Sequence, residues 1–468
     1  MAGATGRRDW RRWPWVALGL VAAALTFRLL VVDSWRAPAG DGLQYYALSQ
    51  SLLRDHRLAF APPPAPLSYS RLPGYPLFAA AVVQDASASL GRHLRRVATA
   101  NVFLDLGSAL LVLLILRRRR LGLAAAWAGF VAVIVCPILL FLSCYGLSES
   151  LATFLTTLTL YCALGDGRRA PLAAGAAFGL LQLVRIDGVA ILPAVALAFY
   201  FGASWRLRLA RAGAFAVAAL LVFAPWPLRN LRQFGAPHIE GTAWMRQDGA
   251  PLPLGMMRWM RSWGTGTWGE DYNLMAVANN APLDVARPGI VLPVMYDDAA
   301  ERAEVVAAFQ HYNRERFSPA VDAEFSRLAE THKARSRWRY YVTLPLRRLA
   351  AEWKAMPEWE LPMRSPLLSL PAERERWVSF ERFLFALALV GAASLVRRDG
   401  RLVLIVLAAV ASRSLLHAFA HPFPVQRYLV ESFPALLALS GCGVVAIGGA
   451  VGRALGRLRR RLPAAERA

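Results

Sequence analysis

The sequence predicts an all-α integral membrane bundle of about ten transmembrane helices, with a large, mainly α extracytoplasmic domain. Three observations support this prediction. Of the 468 residues, 56% are hydrophobic and only 18% are charged, whereas a soluble chain carries about a quarter charged residues. Ten apolar stretches approach the roughly 20 residues that a spanning helix needs. The positive charge is concentrated in short segments between these stretches.

The first apolar stretch follows a basic N-terminus and lacks a small-residue cleavage site, so we expect a retained span that serves as a signal anchor. The fifth and sixth stretches are short and are separated by a charged turn. Whether these two cross fully is therefore open. The predicted spans are 15–33, 97–116, 121–141, 147–164, 170–185, 187–203, 212–227, 378–396, 402–420 and 430–452.

The formal net charge of +23 would suit nucleic acid if the charge formed one surface. Instead, 22 arginines and no lysine fall in six short segments: 7–12, 117–120, 168–169, 206–211, 397–401 and 453–467. With a cytoplasmic N-terminus, alternation of the ten spans places all six segments on the cytoplasmic side, as the positive-inside rule requires. The pattern excludes a nucleic-acid role and predicts a multi-pass inner (cytoplasmic) membrane protein.

The spans divide the chain into four parts. Residues 1–227 form an N-terminal transmembrane module with a first outer loop at 37–96, and residues 228–377 form the extracytoplasmic domain. Residues 378–452 hold the last helices, and residues 453–468 are a basic cytoplasmic tail. Helical periodicity within the domain predicts helices from Asp298 to Phe317 and from Val321 to Met356. The four cysteines lie in or beside apolar runs without a C-x-x-C pair, so neither disulfides nor zinc sites are expected.

Six short elements carry polar residues at the outer ends of the predicted spans. In order they read Gly40-Asp41-Gly42-Leu43-Gln44-Tyr45-Tyr46, Ser70-Arg71-Leu72-Pro73-Gly74-Tyr75-Pro76, Leu147-Ser148-Glu149-Ser150, Leu183-Val184-Arg185, Ala224-Pro225-Trp226-Pro227-Leu228-Arg229-Asn230 and Gln426-Arg427-Tyr428-Leu429. This series resembles the GT-C superfamily, and within it the protein mannosyltransferases, lipid A aminoarabinose transferases and lipopolysaccharide-core transferases, which use polyprenyl-phosphate sugars. It departs from that pattern at Gly42, where many members carry a second acid.

The resemblance implies that Asp41 and Glu149 are catalytic, with Asp41 as the general base. A glycosyl phosphate already has a good leaving group, so an enzyme must mainly deprotonate the acceptor hydroxyl and hold the departing phosphate. Two alternatives remain open. Asp41 is also a suitable N-cap for a helix beginning near Leu43. Glu149 is also suited to stabilise a helix start or to help hold a divalent metal ion.

Donor phosphate binding is assigned to basic residues, because arginine binds phosphate through two parallel hydrogen bonds. The first candidates are Arg71, whose alternative is a solvated loop charge, and Arg185, whose alternative is a cap on a short turn. A second group follows from helical spacing, since positions i, i+4 and i+8 share one face. It comprises Arg413, His417 and His421, and it leads towards Arg427.

The alternative for Arg413 is an interior ion pair with Asp105 or Glu149, and Asp105 itself is expected to be structural rather than catalytic. The tyrosines of the motifs are assigned to substrate positioning; they are Tyr45, Tyr46, Tyr75 and Tyr428.

The resemblance therefore implies a membrane glycosyltransferase that moves a monosaccharide from a polyprenyl-phosphate donor to an envelope lipid, glycan or protein acceptor, with inversion. Its active site would face outside the cytoplasm. The resemblance establishes no cofactor, although some GT-C enzymes hold a divalent metal ion. The alternative from another class is a lipid-linked-glycan or polysaccharide transporter or flippase, which needs no catalytic base.

Overall fold

The computed structural model describes residues 13–34, 41–201, 203–239, 254–265, 282–286, 290–354, 371–422 and 426–461. Throughout these ranges the regular structure is helical and contains no strand. The all-α prediction is therefore confirmed for the described part of the chain. Much of the first part of the predicted extracytoplasmic domain, and the basic N-terminal segment 7–12, lie outside the described residues.

The N-terminal half contains eleven described helices. They are α1 (Trp13–Ser34), α2 (Asp41–Asp55), α3 (Gly74–Val83), α4 (Leu90–Arg118), α5 (Leu123–Val135), α6 (Pro137–Ser143), α7 (Glu149–Ala163), α8 (Ala170–Val184), α9 (Leu192–Tyr200), α10 (Trp205–Phe223) and α11 (Pro225–Phe234). A 3₁₀ helix, Ile186–Ile191, connects α8 to α9.

The C-terminal half continues with α12 (Leu254–Arg261), α13 (Ala299–Glu315), α14 (Pro319–Arg335), α15 (Leu344–Glu352), α16 (Pro371–Ala420) and α17 (Phe433–Arg461). Shorter turns complete it: a π-helical turn at Arg339–Thr343 and 3₁₀ helices at Pro293–Met295 and Gln426–Ser432.

Within the described residues, three helices are long and apolar enough to cross a membrane: Leu90–Arg118, Glu375–Ala420 and Gln426–Arg457. Two bent pairs of helices raise that number to five if each pair forms one span, and four shorter apolar helices accompany them. These helices identify a membrane protein. The total of about ten spans stays a prediction.

Two of the predicted spans are broken at prolines. The stretch 121–141 divides into α5 and α6, which are bent by 57°. Cys136 lies at the break with an extended backbone, because a residue before proline is disfavoured in the α region. The stretch 212–227 similarly divides at Pro225 into α10 and α11, with a 40° bend.

Three helices form the described core of residues 228–377, the predicted extracytoplasmic domain, which we call the outer segment. α12, α13 and α14 pack around Trp259, Phe309 and Phe325, all fully buried. The helix predicted from Asp298 to Phe317 is confirmed, with the Asp298 side chain capping its first turn. The single helix predicted from Val321 to Met356 is wrong, because the chain turns to an extended conformation at Ser336.

Candidate functional site

The ends of several helices meet at one place and bring charged side chains together. The first residue of α2 is Asp41 and the first residue of α7 is Glu149. Arg185 follows the last residue of α8, and Arg413 lies two turns before the end of α16. Sequence positions more than 300 residues apart therefore meet through helix packing.

Asp41 lies at one edge of this group, where its two carboxylate oxygens face different arginines. Arg71 Nη2 lies 2.5 Å from Oδ1, and Arg427 Nη2 lies 3.8 Å from Oδ2. Arg71 also donates to Gln44 Oε1 at 2.8 Å. Burial raises the pKa of Asp41, but the attraction of Arg71 and Arg427 outweighs it and holds the pKa below its ordinary value. Asp41 is therefore ionised at neutral pH.

The structure does not support two alternatives that the sequence left open: Asp41 as an N-cap, and Arg71 as a solvated loop charge. Asp41 already lies within the helix, two positions before Leu43, and its carboxylate faces guanidinium groups. Arg71 is buried, with only 8% of its surface exposed, so it is not a solvated loop charge.

Glu149 occupies the middle of the group and is buried. Its Oε1 atom lies 3.2 Å from Arg427 Nε and 3.4 Å from Arg185 Nη1. Arg427 thus touches both Asp41 and Glu149. The two predicted catalytic carboxylates are joined through one guanidinium.

Arg185 and Arg413 share two carboxylates that sequence reasoning had not assigned to the site, Asp187 and Glu431. Arg185 contacts Asp187 at 2.9 Å and Glu431 at 2.9 Å. Arg413 contacts Asp187 at 3.1 Å and Glu431 at 2.6 Å. Arg185 is thus more than a cap on a turn, because its guanidinium also reaches Glu149.

We call these eight residues the ion-pair cluster: Asp41, Arg71, Glu149, Arg185, Asp187, Arg413, Arg427 and Glu431. Its four carboxylates balance its four guanidinium groups, so it is formally neutral. A phosphate that entered would bring an unbalanced negative charge, and the guanidiniums would have to turn towards it from their present partners.

The two histidines predicted on the face of Arg413 lie beside the cluster. His417 Nε2 lies 3.3 Å from Asp187 Oδ2, and the His417 ring stacks on Tyr428 with ring centres 5.2 Å apart. The His421 ring is tilted against the Tyr428 ring, with ring centres 5.0 Å apart. The predicted common face is confirmed, and Tyr428 is the surface on which both rings lie.

Three of the four predicted positioning tyrosines are near the cluster and one is not. The Arg71 guanidinium lies over the Tyr45 ring at 5.3 Å, and the Tyr45 ring meets Tyr75 edge-on. The Tyr75 hydroxyl accepts a hydrogen bond from Asn101. Tyr46 instead donates to the Ala88 carbonyl, so the structure does not bring it to the cluster.

Asp105 has the structural role that the sequence predicted. It pairs at 2.5 Å with Arg28 of α1, and both side chains are buried. The alternative in which Arg413 pairs with Asp105 is therefore wrong, because Asp105 pairs with Arg28. The actual partners of Arg413 had one sequence signal each: Asp187 follows Arg185 by two residues, and Glu431 follows Arg427 by four.

The charges of the cluster do not favour a metal ion at Glu149. Arg71, Arg185 and Arg427 contact the Asp41 and Glu149 carboxylates, so a divalent cation would lie among like charges. A different group of possible ligands occurs in the outer segment. It consists of Asp297, Glu301 and His332, whose ligand atoms lie within 4.8 Å of one another.

This second group is compatible with a metal ion, but cations of the chain already contact its acids. Arg335 Nη1 lies 2.7 Å from Glu301, and Arg339 Nη1 lies 2.7 Å from Asp297. His332 Nε2 lies 2.9 Å from Glu301. These contacts account for the group as an ion-pair network between α13, α14 and the π-helical turn.

No family model matches the sequence, and no curated protein matches it either. Some solved structures are similar to this chain. The chain is similar to AglB, the archaeal oligosaccharyltransferase from Archaeoglobus fulgidus, solved with an inhibitory peptide and a dolichol-phosphate. The TM-score is 0.50 at 13% identity, over 98% of this chain and 53% of that one. The chain therefore spans about half the length of AglB.

A second similarity is to ArnT from Cupriavidus metallidurans bound to undecaprenyl phosphate, with a TM-score of 0.40 and 16% identity. It extends over 96% of this chain and 81% of that one. At 13% identity the similarity to AglB shows the fold alone.

Proposed function

We propose that this chain, which has the fold of the GT-C superfamily, is a membrane glycosyltransferase that moves a monosaccharide from a polyprenyl-phosphate donor to an envelope lipid, glycan or protein acceptor. The observation that carries the proposal is the position of Asp41. Its ionised carboxylate is 37% exposed and lies at one edge of a connected series of arginines. A base beside phosphate-binding groups is what this transfer requires.

Asp41 accepts the proton of the acceptor hydroxyl as that oxygen attacks the anomeric carbon of the sugar. The bond between the acceptor oxygen and the anomeric carbon forms while the bond from that carbon to the phosphate oxygen breaks. The polyprenyl phosphate leaves with the electron pair of the broken bond. A direct displacement of this kind inverts the anomeric configuration.

The phosphate is received by the arginines of the cluster, and Arg427 and Arg71 are the first of them. Both already contact Asp41, so they lie within reach of a donor whose anomeric carbon is close to the base. Arg427 also contacts Glu149, which is buried and holds this guanidinium in place. Arg185 and Arg413 lie further from Asp41, where Asp187 and Glu431 bind them.

The cluster faces outside the cytoplasm in this proposal, because it lies at the opposite helix ends from the arginine-rich segments. In α4, Asn101 donates to the Leu147 carbonyl beside Glu149, and Arg118 is the last residue of the helix. The 17 residues between them span about 25 Å at 1.5 Å per residue, which is close to the thickness of the hydrocarbon core.

The test uses the full chain reconstituted in proteoliposomes. It is incubated with synthetic undecaprenyl-phosphate hexose, pentose and uronic acid, and with envelope extract as the source of acceptors. Transfer predicts that one donor is consumed, with undecaprenyl phosphate released and a glycosylated acceptor formed. If every donor is recovered intact, or is only moved across the bilayer, the proposal is wrong and a transporter is indicated.

A further inference from the structure

A basic cavity lies at the other end of the bundle, far from the ion-pair cluster. Its volume is about 590 Å³, and five arginines line it: Arg119, Arg120, Arg397, Arg398 and Arg401. Arg119 follows the end of α4, and Arg397 precedes the break in α16. The cavity therefore lies between the ends of two helices that are apolar enough to cross a membrane.

The break at Asp399 gives the cavity its shape. The Asp399 backbone is non-helical, so α16 is divided there into two helices. The Asp399 side chain accepts a hydrogen bond from the Leu402 amide and caps the second of them. Arg119 binds both carboxylate oxygens at 2.7 Å. This bidentate pair fixes the α4 end against the turn and leaves the other arginines around it.

The charge inside the cavity is unbalanced. Among the residues that line it, Asp399 is the one acid, and it is already bound to Arg119. Arg401 additionally lies over the Phe201 ring. Four guanidinium groups, those of Arg120, Arg397, Arg398 and Arg401, thus face one cavity without a carboxylate of their own in its lining. Such a concentration of like charge attracts an anion, and guanidinium geometry matches phosphate.

The surroundings indicate where that anion comes from. Leu121 lines the cavity itself. Next to it, Val396 is 57% exposed and Leu404 is 51% exposed. These side chains lie on helices of spanning character, so their exposed surfaces are suited to lipid acyl chains. A ligand with a phosphate headgroup and an apolar tail satisfies both surfaces, which a soluble phosphate does not.

We propose that this cavity binds the phosphate of an anionic membrane phospholipid, at the membrane face opposite the candidate active site. The site does not depend on the proposed glycosyl transfer. Bound there, the lipid neutralises the turn of α16 and joins it to the end of α4. The part of α16 that follows the break also carries Arg413 of the ion-pair cluster, two turns before its end.

The test measures lipid retained by the full chain in detergent, using native mass spectrometry. Phosphatidylglycerol is the probe, phosphatidylcholine is the neutral-headgroup reference, and inorganic pyrophosphate is the soluble phosphate. The cavity variant is Arg397→Gln with Arg398→Gln. The matched control is Arg453→Gln with Arg457→Gln, which removes two exposed arginines of α17 from the same predicted side.

We expect the wild type to retain phosphatidylglycerol over phosphatidylcholine, and the cavity variant to lose about tenfold or more in affinity. The control pair should stay within about twofold. Equal losses in both double variants would mean that the lipid is attracted by exposed arginines in general and not by this cavity, which would overturn the proposal. Stronger competition by pyrophosphate than by phosphatidylglycerol would also overturn the proposal. If the first variant does not fold, Arg120→Gln with Arg401→Gln provides the same comparison.

Discussion

At the scale of single residues, Asp41 is distinguished by having its carboxylate partly exposed while arginines contact both of its oxygens. We expect Asp41→Asn to abolish transfer while the protein still folds, because the amide keeps the shape but cannot accept the acceptor proton. The measurement is single-turnover transfer beside thermal unfolding. Asp55→Asn, at the far end of the same helix, is the matched control and should keep its activity.

Replacing Arg427 is predicted to weaken donor binding, whereas replacing Arg413 is predicted to lower the stability of the fold. Arg427→Lys keeps the charge but loses the planar fork, so donor affinity should fall roughly ten- to a hundredfold. Arg413→Gln should instead lower stability by about 3–5 kcal/mol, because Asp187 and Glu431 lose a buried partner. Donor binding and thermal unfolding measured on both variants, with Arg92→Lys as an exposed control, decide this. Wild-type donor binding in Arg427→Lys would remove that residue from the site.

Glu352 of α15 gives a pH dependence that can be separated from catalysis. It is fully buried, and this burial raises its pKa to about 8 from an ordinary 4.5. The folded chain therefore holds this proton more tightly than the unfolded chain. Its contribution to stability is complete below pH 4.5 and is lost as the pH rises to about 8.

We accordingly expect the unfolding temperature of the wild type to fall between about pH 5 and pH 8 more steeply than that of Glu352→Gln. Glu330→Gln removes an exposed acid of α14 and should follow the wild-type profile. Parallel profiles for the wild type and Glu352→Gln would contradict the assignment.

Some side-chain positions in the cluster could be predicted from the sequence, and others could not. Spacing alone placed Arg413, His417 and His421 on one face, because helical periodicity fixes that relation. Spacing could not supply Asp187 and Glu431 as partners, because those contacts depend on how the 3₁₀ helices at Ile186–Ile191 and Gln426–Ser432 pack against α16. Helical periodicity likewise does not show that Arg348 is buried and donates to the Gly264 carbonyl.

At the scale of elements, close packing of α16 on α17 holds Arg413 and the turn bearing Arg427 in place. Glycines permit this approach: a Cβ on Gly443 would lie 2.0 Å from the Leu387 carbonyl oxygen. A Cβ on Gly448, which belongs to the same helix, would meet no neighbouring atom within 4 Å.

We expect Gly443→Ala to destabilise the chain by about 1–3 kcal/mol or more, since the helices must move apart. Gly448→Ala should be neutral or slightly stabilising, because alanine favours helices. Thermal unfolding in detergent measures both. Equal unfolding temperatures for the two variants would contradict the close packing of α16 on α17.

The helix start near Asp298 was predicted, and the Asp298 cap is a local signal for it. The breaks at Pro137 and Pro225 were not predicted, because hydropathy carried each span through a proline that ends one helix and begins the next. The turn at Ser336 has no comparable signal, so periodicity carried the predicted helix through it. The sequence placed a charged segment between the predicted spans 378–396 and 402–420. In the structure α16 extends over both spans, and Asp399 of that segment has a non-helical backbone.

At the scale of the whole molecule, the proposed mechanism requires the ion-pair cluster and the arginine-rich segments to lie on opposite sides of the membrane. Reporter fusions after residues 120 and 300 should therefore report opposite compartments, with position 120 cytoplasmic. The same compartment for both fusions would exclude an active site that faces outside the cytoplasm.

The most direct measurement of the proposed function is mass spectrometry of envelope lipids, glycans and proteins from a deletion strain and its parent. We expect one envelope molecule to lack a single hexose, pentose or uronic acid in the deletion strain. Wild-type protein and Asp55→Asn should restore that sugar, and Asp41→Asn should not. An unchanged envelope, or restoration by Asp41→Asn, would contradict the assignment of this chain as a glycosyltransferase with Asp41 as its base.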